Sequence, residues 1–285
     1  GRGVAFAQQL QGKELSFNNL VDLQAGWNLA EEFDQPTTVI IKHTNPCGAA
    51  SAENLAESYR KALEADPVSA FGSVIAFNRP LDLETAEETA KLFVEAVIAP
   101  GYEAAANERL SKKKNLRLMI MDRLKEEAGS EVLELKNLGD GLLVQTQDRK
   151  LNHPDPWRTV TARQPSPEEQ EALLFAWRVA KHVKSNAIVF VRQSRTVGVG
   201  AGQMSRVDAA QIAIRKAKEL KHSLAGTVVG SDAFLPFPDG VRVAGEAGAT
   251  AVIQPGGSVR DEEVIEAANH LGLAMVFTGI RHFRH

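Results

Sequence analysis

Cysteine is nearly absent from this sequence: Cys47 is the single thiol in 285 residues. One cysteine excludes an internal disulfide framework and any cysteine-built zinc cage. It fits a cytosolic setting better than a secreted one. Long apolar runs are missing too, since none approaches the roughly 20 residues that span a bilayer. No charge of one sign dominates, with 33 Lys and Arg against 36 Asp and Glu and a net charge of -3. That balance excludes the broad basic surface of a nucleic-acid binder. The opening Gly1-Arg2-Gly3-Val4-Ala5-Phe6 has neither an initiator methionine nor a three-part signal peptide. The expectation is a chain entered part-way through a longer protein. What is present is 44% hydrophobic residues, enough for one large or two medium cores.

Those hydrophobic residues alternate between two periods. Leu20, Leu23, Trp27 and Ala30 recur at helical spacing in 19–33, and Leu55, Tyr59 and Leu63 do so in 51–65. A third helix is predicted over 83–97. The β-branched run 37–41, then 74–77 and 116–121, read as strands. Strands separated by helices imply βαβ units and a mostly parallel or mixed sheet. The polar stretch 145–167 carries Pro154, Pro156, Pro165 and Pro167. It sets the boundary between a first subdomain, 1–150, and a second, 151–285. Ser166, Pro167 and Glu169 then spell a helix start, with Leu173, Trp177, Ala180 and Lys184 on one face. Strands at 187–191 and 196–199, a helix opening at Ser205, and strands at 227–229, 251–253 and 274–277 complete a second sheet. The sequence thus predicts two α/β subdomains of similar build, with no repeat visible residue by residue.

The chemistry gathers around Lys42-His43-Thr44-Asn45-Pro46-Cys47-Gly48, which follows the strand at 37–41. Pro46 and Gly48 are read as stopping that strand. Open α/β sheets bind ligands at strand ends. There a histidine can take a proton near neutral pH and a lysine can stabilise developing negative charge. The plain alternative is a solvated lysine and a histidine filling a turn. Gly198-Val199-Gly200-Ala201-Gly202 stands between a strand and a helix. It is either a phosphate loop or, as its spacing favours, a tight glycine turn. Arg206, at the next helix start, is a better anion or pterin contact. The segment 231–240 cannot be regular, because Pro236 and Pro238 remove two donors. Its Phe234, Leu235 and Phe237 suit stacking on a flat ring or plugging the core, and Asp232 and Asp239 could bond an aminopyrimidine edge. Asn186 reads as a helix C-cap free to touch ligand. Gly72 would admit close approach to the backbone, and Glu95 sits near a helix end. In the tail Arg281-His282-Phe283-Arg284-His285, a phenylalanine anchor with two arginines suits a phosphate. His153, His182, His222 and His270 show no ligand spacing.

Lys42 to Gly48, Gly12-Lys13-Glu14-Leu15-Ser16-Phe17-Asn18-Asn19, the loop Ser231 to Gly240, Ala251 to Ser258, Arg260 to Ile265 and Met275 to His285 together resemble one family. It is the formyltransferase part of the bifunctional purine-biosynthesis enzymes, AICAR transformylase–IMP cyclohydrolase, in the bacterial form. The resemblance covers nearly the whole chain. It implies two cytidine-deaminase-like α/β subdomains with mixed sheets flanked by helices. The implied reaction moves the formyl group of 10-formyltetrahydrofolate to the 5-amino group of AICAR, giving FAICAR in de novo IMP biosynthesis. Carried over by position, His43 is the catalytic proton acceptor, Lys42 assists transfer, and Asn186 orients the reacting groups and contacts AICAR. Gly72, Glu95 and Arg281 also fall on the AICAR side. Arg206, Val207, Phe234, Asp239 and Ser258 fall on the folate side. The resemblance further implies a cytoplasmic homodimer with active sites shared across the interface, 10-formyltetrahydrofolate as co-substrate, no catalytic metal, and neither nucleic acid nor membrane as partner.

Two departures from the family pattern stand out. The family's Arg-Tyr-Gly-x-Asn-Pro-His-Gln motif, which helps bind AICAR, would lie before the segment matching 12–19, and the cyclohydrolase domain before that. The sequence starts after both. Glu95 stands where some members carry Asp. A ligand-binding fragment without turnover is one competing expectation. The other is a zinc nucleobase deaminase, which needs His-x-Glu and Pro-Cys-x-x-Cys. Here Ala50 occupies the second cysteine's place.

Overall fold

The structure, a computed structural model, describes residues 3–122, 132–148 and 157–285. The first half runs β1 (Gln8–Gln11), α1 (Phe17–Ala30), β2 (Thr37–Lys42), β3 (Asn45–Ser51), α2 (Leu55–Ala65), α3 (Pro67–Ala70), β4 (Ser73–Phe77), α4 (Leu83–Ala90), β5 (Val94–Ala99), α5 (Ala104–Ser111) and β6 (Arg117–Ile120). A separate hairpin follows, β7 (Leu133–Leu138) with β8 (Gly141–Thr146). The second half runs β9 (Arg158–Thr159), α6 (Pro167–Lys181), β10 (Ile188–Arg192), β11 (Arg195–Gly200), α7 (Arg206–Glu219), β12 (Thr227–Ser231), α8 (Pro238–Glu246), β13 (Ala249–Gln254), α9 (Asp261–His270) and β14 (Ala274–Phe277). The boundary placed between residues 150 and 151 lies outside the described residues, as does His153.

The two halves repeat one another. Each has a helix, an antiparallel hairpin, then three parallel strands alternating with helices, closed by an antiparallel edge strand. Two sheets were expected from the sequence. The halves instead share one mixed sheet of twelve strands, ordered β1-β6-β5-β4-β2-β3-β11-β10-β12-β13-β14-β9. The seam is antiparallel, with Arg195 opposite Ala50. Thr196 reinforces it: its hydroxyl accepts the Ala49 N–H at 3.0 Å and donates to the Ala49 carbonyl at 3.2 Å.

Three layers follow from the burial of alternate side chains. Val39 and Ile41 of β2, with Val189 and Val191 of β10, point to the face covered by α1 and α6, where Trp27 and Trp177 are 1% exposed. Ile40 points the other way, under α2, α4 and α5, and Phe190 points under α7, α8 and α9. The capping box at Ser166 is realised: its hydroxyl accepts the Glu169 N–H at 3.2 Å, and Glu169 accepts the Ser166 N–H at 2.8 Å. Such a cap stabilises a helix by about 1 kcal/mol. The predicted helix over 83–97 is cut short, because α4 ends at Ala90 and residues 94–99 form the buried central strand β5. Among the described residues no helix is long and apolar enough to cross a membrane.

Candidate functional site

The turn of the first hairpin is His43-Thr44, not Pro46 and Gly48 as the sequence suggested. Both turn residues are left-handed, with φ of 51° and 63°, as two-residue hairpins require. Asn, Asp or Gly usually fills such places. A β-branched threonine there costs on the order of 1–3 kcal/mol. The surroundings hold it: the Thr44 N–H donates to Asp22 Oδ1 at 2.7 Å, and Asn45 Nδ2 donates to the His43 carbonyl at 3.2 Å. Pro46 lies in β3 opposite Ile41, beside a register shift. Gly48 is also in β3, where a Cβ would sit 2.0 Å from the Ala62 carbonyl oxygen of α2. Cys47 is a packed residue whose thiol burial pushes up to about 12.

Lys42 closes β2 and reaches the loop before β4. Its Nζ donates to the carbonyls of Phe71 at 2.8 Å and Gly72 at 3.0 Å. Gly72 has φ of 66°, and a Cβ there would come within 3.3 Å of Lys42 Nζ. Two strands further out, Glu95 is the second residue of β5 and is not at a helix end. Its carboxylate accepts Arg117 Nη1 at 2.8 Å, and Arg117 is itself 11% exposed. Nothing local marks that partner, because Arg117 stands alone in an apolar run.

The second half meets this edge through its loop before β10. Helix α6 stops at Lys181, so Asn186 is no C-cap. Its Nδ2 donates to the carbonyls of Gln203 at 2.9 Å and Met204 at 3.1 Å. The Lys184 N–H donates to Asn45 Oδ1 at 2.9 Å, which ties this loop to the His43 hairpin. Asp232, fully buried, organises the rest. It accepts the Ser185 hydroxyl, the Ala187 N–H at 3.1 Å and Arg206 Nη2 at 3.5 Å, and its own carbonyl accepts the His282 N–H at 2.8 Å. Asp232 is therefore occupied by the protein and not presented to a ring. Burial pushes the Arg206 guanidinium below its ordinary value, with Asp232 opposing. Arg206 Nε is buried with no partner among the described residues. Val207 follows it in the first turn of α7, half-buried.

Gly198 and Gly200 form neither a phosphate loop nor a turn. Both lie within β11, where a Cβ would come 2.6 Å from the Ala213 carbonyl oxygen and 1.8 Å from that of Ala209. Beyond β12, Phe234 is half-buried and Leu235 buried, its N–H donating to Gln254 Oε1 at 3.0 Å. Phe237 is exposed beneath the Arg260 guanidinium, 5.1 Å from its ring centre. Part of 231–240 is regular after all: Pro238 is the first residue of α8, so exposed Asp239 lies in a helix turn. Ser258 precedes α9, its hydroxyl accepting the Arg260 N–H at 3.2 Å. In the tail the anchor is His282, 1% exposed against Trp177 and bonded to Asp148. Phe283 is 48% exposed and lies under the Arg281 guanidinium at 5.1 Å.

The strand directions put all these residues on one edge of the sheet. Lys42, Gly72 and Glu95 lie where β2 ends and β4 and β5 begin; Phe234, Ser258 and Arg281 lie beyond the ends of β12, β13 and β14. The antiparallel seam brings opposite strand ends of the two halves to the same side. Lys42 touches Gly72, Asn45 joins His43 to the Asn186 loop, and Arg206 meets the Asp232 hub. Glu95 stands apart with Arg117, and Phe234, Asp239 and Ser258 lie beyond the ends of β12 and β13.

Residues 1–216 match the family model described as the AICARFT/IMPCHase bienzyme. Two relatives are each named bifunctional purine biosynthesis protein PurH. One is from Roseobacter denitrificans, 55% identical over 293 residues, covering 99% of this chain and 55% of the relative. The other, from Parvibaculum lavamentivorans, is 55% identical over 293 residues and covers 99% and 54%. The chain spans about half the length of these curated relatives. On this evidence the chain belongs to the AICARFT/IMPCHase bienzyme family.

Proposed function

We propose that this chain is the formyltransferase portion of a purine-biosynthesis bienzyme. It transfers the formyl group of 10-formyltetrahydrofolate to the 5-amino group of AICAR, in the cytoplasm, without a catalytic metal. The observation that carries the reading is the one-edge assembly of Lys42, His43 and Asn186 through Asn45, next to Gly72. The amine of AICAR is a weak nucleophile, because its ring and carboxamide draw off the lone pair. As it bonds to the formyl carbon, His43 accepts its proton and the Lys42 ammonium lies beside the oxygen that gathers charge. The bond from the formyl carbon to N10 of the folate then breaks, and N10 takes a proton.

The working unit in this proposal is a homodimer with shared sites. Gly72 before β4 and the tail docked at the end of β12 are five strands apart, about 24 Å at roughly 4.8 Å per strand. That exceeds the reach of one nucleoside monophosphate, so a second copy would have to bring an AICAR-side group from each chain together. The hairpin β7–β8 supports the same reading. Leu133, Leu135, Leu142 and Val144 share one of its faces and are all more than half exposed. An isolated two-stranded hairpin is marginal in water.

Steady-state assays with AICAR and 10-formyltetrahydrofolate test the proposal, with IMP cyclisation followed in parallel. His43→Ala should lower formyl transfer by about 10²–10⁴-fold, the range of general acid–base groups. Near-normal turnover in that variant would remove His43 from the mechanism.

A further inference from the structure

The opposite edge of the sheet carries a second copy of the Lys42 framework. Lys42 ends β2 as Arg192 ends β10, and each follows a register shift at the same place in its hairpin, Ile40/Ile41 and Phe190/Val191. His43 with φ of 51° corresponds to Gln193 with φ of 54°. Lys42 Nζ bonds the Phe71 and Gly72 carbonyls. Arg192 Nη2 bonds those of Ser223 at 2.7 Å and Ala225 at 2.8 Å. Gly72 and Gly226 each stand left-handed just before a parallel strand, with φ of 66° and 75°. Their N–H groups donate to the carbonyls of Phe93 and Gly248, both at 2.8 Å. The seam is antiparallel, so this copy faces away from the candidate site by the length of a strand, roughly 15–20 Å.

The copy has lost the histidine and gained cations. A cleft of about 110 Å³ opens here, lined by Arg192, Arg195, Lys221, His222 and Glu64. Glu64 is the one carboxylate among them. It pairs with Arg195, and its carbonyl accepts His222 Nε2 at 2.7 Å. Lys221 Nζ has no hydrogen-bond or ion-pair partner among the described residues, and Arg192 uses only Nη2. Three permanent cations thus face one anion, and guanidinium and ammonium donors remain open to the cleft. The volume is too small for a nucleotide, whose pockets run to about 300 Å³ or more, but it accepts a single tetrahedral oxyanion. Arginine and lysine together are the residues that recognise phosphate by charge-assisted bonds.

We propose that this cleft is a phosphate site separate from the candidate active site. Its ligand is inorganic phosphate or the phosphomonoester end of a small metabolite. Gln193 stands where the turn histidine stands in the first hairpin, and His222 spends its Nε2 on the Glu64 carbonyl, so the cleft binds without chemistry.

The test follows the His222 imidazole by NMR in the full chain while inorganic phosphate or ribose 5-phosphate is added. A saturable shift of His222 is expected. It should persist in Arg281→Ala and weaken about tenfold in Lys221→Glu, with Lys221→Gln intermediate, as expected for loss of a charge-assisted phosphate contact. Lys221 is exposed, so these variants should fold; circular dichroism checks that. Formyl transfer in them should stay at the parent rate. Tighter binding of ribose 5-phosphate would identify a phosphoester ligand, and equal or weaker binding the free ion. The proposal is overturned if His222 shows no saturable shift, if Lys221→Glu binds as the parent does, or if Arg281→Ala abolishes the response.

Discussion

Asn45 and Lys184 join the two halves of the candidate site. The Lys184 backbone N–H donates to Asn45 Oδ1 at 2.9 Å, while the other end of the same amide, Nδ2, holds the His43 carbonyl at 3.2 Å. One side chain therefore sets the His43 turn against the loop that carries Asn186. Asn45→Ala removes both bonds, and Asn45→Asp keeps the acceptor but not the donor. On the proposed function, Asn45→Ala should lower kcat by about 10–10²-fold, since small misplacement of a reacting group costs that much. The Michaelis constants for AICAR and folate should move far less, and Asn45→Asp should retain more activity than Asn45→Ala. A large rise in either Michaelis constant with kcat unchanged would show that Asn45 supports binding and not the alignment of His43.

Local signals were legible and cross-chain ones were not. The cap at Ser166 and the strand after Pro36 depend on residues within a few positions, and both formed as read. The helix predicted through 97 failed because β5 is buried on both faces. Its Val94, Ala96, Val97 and Ile98 show no alternation, so a central strand looks like the tail of the preceding helix. Pro46 and Gly48 looked like a turn because their usual meaning is local. In the fold, pressure from α2 selects Gly48, and a register shift admits Pro46. The union of two sheets into one depends on Arg195 meeting Ala50, a pairing with no sequence period. Lys42 and His43 were visible as a pair, and Asn45 stood in the same motif without a readable role; Asp22 and Arg117, which hold or accompany site residues, carry no motif of their own.

Gly200 offers a test of the helix–strand contact that positions Arg206. A Cβ at this position would lie 1.8 Å from the Ala209 carbonyl oxygen and 2.5 Å from its carbon, both in the backbone of α7. Backbone cannot rotate aside, so α7 would have to move. Gly200→Ala should destabilise the fold by about 1–3 kcal/mol or more, as overpacking does. Gly141→Ala is the comparison: its nearest neighbour would be the Leu138 carbonyl oxygen at 3.5 Å, so a change within about 0.5 kcal/mol is expected. Urea unfolding of both variants checks this. Equal midpoints for the two would refute the packing account.

Stability should fall in acid through the charges buried beneath the tail. Glu32 lies between Lys181 at 2.8 Å and His182 at 2.9 Å, and Arg284 Nη1 is 3.3 Å from His182 Nδ1. Burial alone would raise the Glu32 carboxyl. The His182 bond and the charges around it win and hold it at about 2, against an ordinary 4.5. A carboxyl lowered by folding contributes stability above its unfolded value and loses it as pH falls from about 4.5 toward 2. Burial also pushes His182 below its ordinary 6.5, with Glu32 opposing. The unfolded chain then binds that proton first, so stability begins to fall as pH drops through about 6.5. Urea titrations across this range should show a shallow loss and then a steeper one. Glu32→Gln leaves Lys181 buried without its counter-charge and should cost about 3–5 kcal/mol at neutral pH. Its loss of stability below about pH 4.5 should be shallower than the parent's but not absent, because Asp66, Asp148 and Glu169 are also held below the ordinary carboxylate range; a variant that keeps the parent's slope there would disconnect Glu32 from it.

The separation of Gly72 from the tail leads to a test by mixing. Suppose one site takes His43 from one chain and Arg281 from its partner. In a dimer of one His43→Ala chain and one Arg281→Ala chain, both lesions then fall in the same site and the other site is intact. Random re-pairing of two such inactive homodimers makes half the dimers mixed, each with one working site of two. Formyl transfer should recover to about a quarter of the parent rate, as expected for a symmetric pair. If both residues serve the site from one chain, every site in the mixed dimer has one lesion and no activity returns. The mixture must be unfolded and refolded together, with homodimers refolded apart as the baseline. Recovery would place the shared site across the interface and explain why the two groups of residues proposed to bind AICAR sit so far apart on one edge. No recovery, with mixed dimers confirmed by differential tagging, would mean that one chain must bring Arg281 to its own His43 by moving the tail, which His282 holds against Trp177.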